Sequence, residues 1–181
     1  YTLWHTLSLH DALPIYAPLA LERDIEPDET LFFKKFAYGL EKKICSDATR
    51  TIVVSSPLKN HLTSVGVPAE KIVVLPNGVN TATFFPKKKS IQLMHRYDLH
   101  KDDIIIGFVG ILRPWHGLEI LLTAYKILSS KLSSCKLLLV GDGPIRDDLD
   151  NKIEAMGLKG QVTITGRIPH EQVSDHIALF D

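Results

Sequence analysis

The chain has 181 residues, 45% hydrophobic and 23% charged, with Lys+Arg and Asp+Glu equal at 21 each. That length supports one good core or two partial ones, and a formal charge of zero gives no electrostatic footprint for nucleic acid or an anionic membrane. No apolar run approaches the roughly 20 residues of a membrane span, the eight histidines lack the short paired spacings of a zinc site, and Cys45 and Cys135 read as reduced packing residues of a cytosolic protein, not a disulfide framework.

The first fifteen residues have no start methionine and no signal-peptide layout. Thr6 to Ile15, TLSLHDALPI, is what one frame of a widely used sequencing adapter encodes, so residues 1–15 are expected to be an artefact fused to a truncated reading frame. His10 and Asp11 are therefore not recruited as a catalytic pair.

From Tyr16 the patterns become coherent. Phe33, Phe36, Leu40 and Ile44 recur at helical spacing among lysines, which predicts a helix from about Glu29 to Cys45 with that stripe inward. Thr51 to Ser55 reads as a strand, with Ser56 as N-cap and Pro57 at the first position of a helix whose inner stripe is Leu58, Leu62 and Val65 and whose stop is Gly66. Lys71 to Leu75 is a second strand, running into a turn at Pro76, Asn77 and Gly78. Two strands around a helix make a βαβ unit, and the proline-punctuated stretch that follows, with its lysines 87 to 89, reads as a solvated linker at a domain boundary.

A short amphipathic piece spans about Ile91 to Leu99. Ile104 to Val109 is a near-continuous apolar run, as a parallel strand covered on both faces requires. Leu118, Leu121, Leu122, Tyr125, Leu128 and Leu132 then give a helix one buried stripe. Between Gly110 and Gly117 lies a loop with Arg113, Trp115 and His116 and no carboxylate, a candidate anion site because a helix N-terminus presents unpaired N–H groups and partial positive charge. Lys136 to Val140 is the next strand and enters Gly141, Asp142, Gly143 and Pro144, with Pro144 suited to start a helix that Gly157 ends. Asp142 suits either a cap of that helix or a ligand contact. Val162 to Thr165 is a further strand, Gly166 to Pro169 turns the chain, and a final helix follows. This strand and helix alternation predicts a parallel, doubly wound α/β sheet, in which ligands collect beyond the carboxyl ends of the strands.

VLPNGVN, GFVGILRPWHGLEILL, LLLVGDGP and VTITGRIP, in that order, resemble the family 4 retaining glycosyltransferases of the GT-B fold, over about Tyr16 to Asp181. The resemblance implies parts of two Rossmann-like domains joined by a hinge. Residues 16–80 would belong to the acceptor-side domain, 81–89 to the linker, and 90–181 to the front half of the nucleotide-sugar-binding domain. It implies donor diphosphate binding by Gly110, Arg113, His116 and Gly117, a nucleobase and ribose region at Gly141, Asp142, Gly143, Arg167 and Ile168, and a hinge at Pro76, Asn77 and Gly78. Catalytic residues are expected outside this stretch of chain.

The loop departs from the common pattern, in which Arg follows the first glycine and Lys precedes the second; here Ile111 and His116 hold those places. The implied activity is transfer of a sugar, with retained anomeric configuration, from a nucleoside diphosphate sugar to an unidentified glycan, lipid or small-molecule acceptor. No cofactor and no metal are implied, no nucleic acid partner, and a cytoplasmic location that allows peripheral membrane association. The rival expectations are a noncatalytic nucleotide-sugar-binding domain and another GT-B enzyme, an epimerase or a phosphorylase.

Overall fold

The computed structural model describes residues 34–181. The adapter-like stretch Thr6 to Ile15 and the predicted helical residues Glu29 to Phe33 lie outside the described residues. The chain divides into two compact units, Tyr1–Gly78 and Val79–Asp181.

In the first unit, helix α1 (Lys34–Asp47) precedes strand β1 (Thr51–Val53), helix α2 (Ser56–Ser64) and strand β2 (Ile72–Val74). The two strands pair in parallel, Thr51 opposite Ile72 and Val53 opposite Val74. Cys45, Val53, Leu62, Val67 and Ile72 form the core, with Leu58, Val65 and Val74 packed against it. The predicted inner stripe of α2 is thus the packed one. Its cap is one residue earlier than expected: Ser55 accepts from the Leu58 N–H, and Pro57 falls at the second helical position. Bonds from Gly66 N–H to Thr63 and from Val67 N–H to Leu62 close the helix in a Schellman motif.

Two expectations fail in this unit. Phe36, Leu40 and Ile44 are exposed, because α1 turns Cys45 to the core; one residue along a helix rotates the face by about 100°. Nor does the chain turn at Pro76, Asn77 and Gly78. The turn comes later, where the Asn80 carbonyl accepts from Thr83 and Phe84 and the Asn80 side chain accepts from the Ala82 N–H. An Asn side chain that mimics a backbone carbonyl nucleates such a turn without glycine.

The second unit runs through helix α3 (Ile91–Arg96), strand β3 (Ile104–Val109), helix α4 (Leu118–Ser129), strand β4 (Cys135–Val140), helix α5 (Arg146–Ala155), strand β5 (Val162–Ile164) and helix α6 (His170–Ile177). The sheet is parallel in the order β3-β4-β5. Alternation along β4 supplies two cores. Leu137 and Leu139 join Leu118, Leu122, Tyr125 and Leu149 in one cluster, while Leu138 and Val140 join Leu99, Ile105 and Leu179 in another.

The central strand is therefore β4, while β3 is covered on both faces as expected, Ile105 in the second cluster and Ile106 and Phe108 against the first. Among the described residues β3 is an outer strand, and Ile104 and Val109 at its ends are 44% and 38% exposed. Its free edge is met by Asp181, which donates its N–H to the Ile105 carbonyl at 3.0 Å and accepts the Ile105 N–H on its carboxylate at 2.9 Å.

The lysines read as solvated are partly engaged. Lys87 bonds the Ser174 hydroxyl and the Asp175 carboxylate at 2.7 and 2.6 Å, and Lys89 bonds the Asp181 carboxylate; Lys88 alone of the three is exposed. The Phe84 ring meets His170. Residues 84–89 are thus a strap on the second unit, because cations on consecutive turns of extended chain find carboxylates along α6 and beyond it.

Candidate functional site

Parallel strands end together, so the turns after β3, β4 and β5 lie side by side. They are knit by backbone. Gly110 N–H donates to Val140, Leu112 N–H to Asp142, and Gly141 bridges to Gly166. Thr165 adds a side-chain staple, accepting from the Gly141 N–H at 3.2 Å and donating to the Gly166 carbonyl at 2.8 Å. Leu112, fully buried, anchors the first turn in the core.

Glycine is needed here for close approach. A Cβ at Gly141 would collide with the Gly110 carbonyl oxygen, and one at Gly143 with the backbone of Leu112.

These turns border an open cleft of about 650 Å³ lined by Gly110, Ile111, Gly141, Asp142, Gly143, Arg167 and Ile168, with Val109, Val140 and Val173 as apolar walls. Six residues named from sequence for the diphosphate and nucleobase regions therefore share one cavity. Arg113, His116 and Gly117 do not line it; they continue the first turn beyond Leu112.

The geometry of that continuation is specific. Pro114–His116 forms a single 3₁₀ turn, and Gly117 takes the left-handed φ of 67° that lets α4 start directly after it. The Arg113 guanidinium lies 4.8 Å from the centre of the Trp115 ring. Trp115 is 42% exposed, so it is a platform for Arg113 and not the packing anchor its size suggests. His116 bonds through Nδ1 to the Ile111 carbonyl at 2.7 Å and packs its ring near Phe108. The first turn of α4 carries Glu119, which is paired with Lys152 at 2.7 Å.

Asp142 does not cap a helix. Pro144 lies in the turn before α5, whose N-cap is Ile145 without a side-chain bond, and the Asp142 carboxylate instead accepts the adjacent Gly143 N–H at 2.9 Å. Sequence reading missed Arg146. Its guanidinium stands 3.6 Å from the Asp142 carboxylate and 3.4 Å from Asp150. The spacing of four residues on either side, acid to base to acid, was the available signal.

A parallel α/β sheet with glycine-tight turns around a cleft at its carboxyl end is the arrangement in which α/β folds bind their ligands. Residues 90–181, just over half the chain, match the model of Glycosyl transferases group 1, and residues 4–83 match Glycosyltransferase Family 4. The chain belongs to the group 1 glycosyltransferase family.

It is 36% identical over 88 residues to alpha-D-kanosaminyltransferase of Streptomyces kanamyceticus, covering 49% of this chain and 22% of that protein. It is 30% identical over 129 residues to the GDP-mannose-dependent alpha-(1-6)-phosphatidylinositol monomannoside mannosyltransferase of Mycobacterium tuberculosis, covering 71% of this chain and 33% of that protein. The chain thus spans a third or less of these relatives. Among solved structures it is similar to HepE of Anabaena in complex with UDP, at 22% identity and a TM-score of 0.69 over 87% of this chain and 43% of that one. Sucrose-phosphate synthase of Thermosynechococcus elongatus gives 23% identity and a TM-score of 0.70 over 93% and 42%. The fold is that of the GT-B glycosyltransferases.

Proposed function

We propose that the full-length protein transfers a sugar from a nucleoside diphosphate sugar to an acceptor with retention of configuration, and that the cleft beyond β3, β4 and β5 holds the donor nucleotide. The observation that carries this reading is the meeting of Gly110, Gly141, Asp142, Gly143, Arg167 and Ile168 around one cavity in a chain of this family. Exposed main-chain groups of the turn at Arg167 and Ile168 suit the edge of a base, and the adjacent glycine turns admit a ribose without steric penalty.

The diphosphate then extends towards Arg113, His116 and the start of α4. Backbone N–H groups there and the Arg113 guanidinium stabilise charge developing on the leaving group, a form of electrostatic catalysis that needs no dedicated metal. No helix among the described residues is long and apolar enough to cross a membrane, and a cytoplasmic location with an acceptor of glycan, lipid or small-molecule type accompanies this reading. The test incubates the full-length protein with UDP- and GDP-linked sugars and follows nucleoside diphosphate release and the anomeric configuration of the product by NMR. Release with a retained anomer is expected. A purified, folded protein that binds a nucleotide sugar yet neither hydrolyses nor transfers it favours a noncatalytic binding domain.

A further inference from the structure

Beside the cleft, behind two residues of its bordering turns, Asp142 and Gly166, stands an arginine that those turns do not themselves supply. Arg146 opens α5, is one-third exposed, and reaches back across two of the three turns that border the cavity. Its Nη1 stands 3.1 Å from the point a Cβ would occupy at Gly166, and the Asp142 carboxylate oxygen stands 3.8 Å from the same point. Asp142 is thereby held from two sides. One oxygen accepts the Gly143 N–H at 2.9 Å, and the other faces the Arg146 guanidinium at 3.6 Å. Arg146 is itself oriented by Asp150, whose carboxylate accepts its Nε–H at 3.4 Å.

A carboxylate fixed by a backbone N–H and a guanidinium keeps lone pairs for a third donor and pays little entropy when that donor arrives. The donors a nucleoside offers are ribose hydroxyls and base N–H groups, and pyrophosphate has neither.

We propose that Arg146 is a positioning residue for nucleoside recognition, setting the Asp142 carboxylate and the Gly166 turn so that the cleft distinguishes a nucleoside diphosphate from diphosphate alone. This rests on the donor reading above.

The test measures affinity of the full-length protein for uridine diphosphate, guanosine diphosphate and inorganic pyrophosphate by calorimetry. Arg146→Ala is expected to weaken binding of the preferred nucleoside diphosphate by roughly three- to tenfold and to leave pyrophosphate unchanged. Arg146→Lys is expected to recover part of the loss, and Arg146→Ala in an Asp142→Asn background to add almost none, since the two act as a unit. Melting temperature is read on every variant; if Arg146→Ala does not fold, Arg146→Lys carries the test with a smaller loss in the same direction. Unchanged nucleoside diphosphate affinity, or a parallel loss for pyrophosphate, overturns the proposal. A wild-type protein that binds pyrophosphate but neither nucleotide overturns the donor reading itself, and this one with it.

Discussion

The imidazole Nδ1 of His116 lies 2.7 Å from the carbonyl oxygen of Ile111. A carbonyl only accepts, so this nitrogen carries the proton, and in the neutral ring Nε2 is left with a lone pair. Neutral His116 therefore has no donor to offer a diphosphate; the imidazolium has a charged one. A permanent cation at this position supplies the missing donor, so His116→Lys is expected to tighten nucleoside diphosphate binding several-fold, read by calorimetry. Unchanged affinity in His116→Lys would remove His116 from the anion site.

Arg113 is expected to be the main side-chain contact of the diphosphate, as the permanent cation of the loop between Gly110 and Gly117. Arg113→Ala should weaken nucleoside diphosphate binding by about 1.5 to 3 kcal/mol, roughly tenfold to a hundredfold. Trp115→Ala should cost less, about 0.5 to 1 kcal/mol, because it removes only the ring on which the guanidinium rests at 4.8 Å. Equal losses would assign the aromatic face, not the charge, the leading role.

Much of this was legible in the sequence because period and punctuation agree. The apolar run of β4, the Leu118, Leu122 and Tyr125 stripe, and Gly66 and Gly157 as helix stops are local signals, and each is where expected. What failed depends on partners distant in sequence. The covering of β3 on both faces was itself legible, with Ile105 packed on one side and Ile106 and Phe108 on the other, but an apolar run does not say that β4 is the middle strand. Helical spacing in α1 could not choose between the Ile44 face and the Cys45 face one residue away. Lys87 and Lys89 find Asp175 and Asp181 88 and 92 residues on, which no local pattern announces. For the site, the glycine turns showed where backbone converges and the four-residue spacing of Asp142 and Arg146 was a local signal, but the reach of Arg146 across to Gly166 is a tertiary fact.

The strap has a measurable signature. Since residues 84–89 are tied to α6 and Asp181, limited proteolysis is expected to cut between Pro76 and Thr83 before it cuts within 84–89. Lys87→Ala should shift cutting into the strap while lowering stability by no more than about 1 kcal/mol, as its partner Asp175 is half exposed. First cutting within 84–89 of the wild type would contradict the strap.

Acid should loosen the same region. The bond from Lys89, then the Ile105 N–H, holds the Asp181 carboxyl below the usual carboxylate range. A depressed carboxyl contributes stability that is fully present above its unfolded pKa and is lost as pH falls through the folded value. The protection factor of the Ile105 amide, the observed exchange rate taken relative to the intrinsic rate at each pH, should therefore fall in acid, and Asp181→Asn should remove that dependence. An identical acid response in the variant would place its origin elsewhere.

The most direct measurement of the central claim is hydrogen exchange of the full-length protein with and without uridine or guanosine diphosphate. Binding in the cleft beyond β3, β4 and β5 predicts protection concentrated in residues 110–117, 141–146 and 166–168. Nucleotide binding that leaves those three segments unprotected, with protection confined to other parts of the chain, would contradict it.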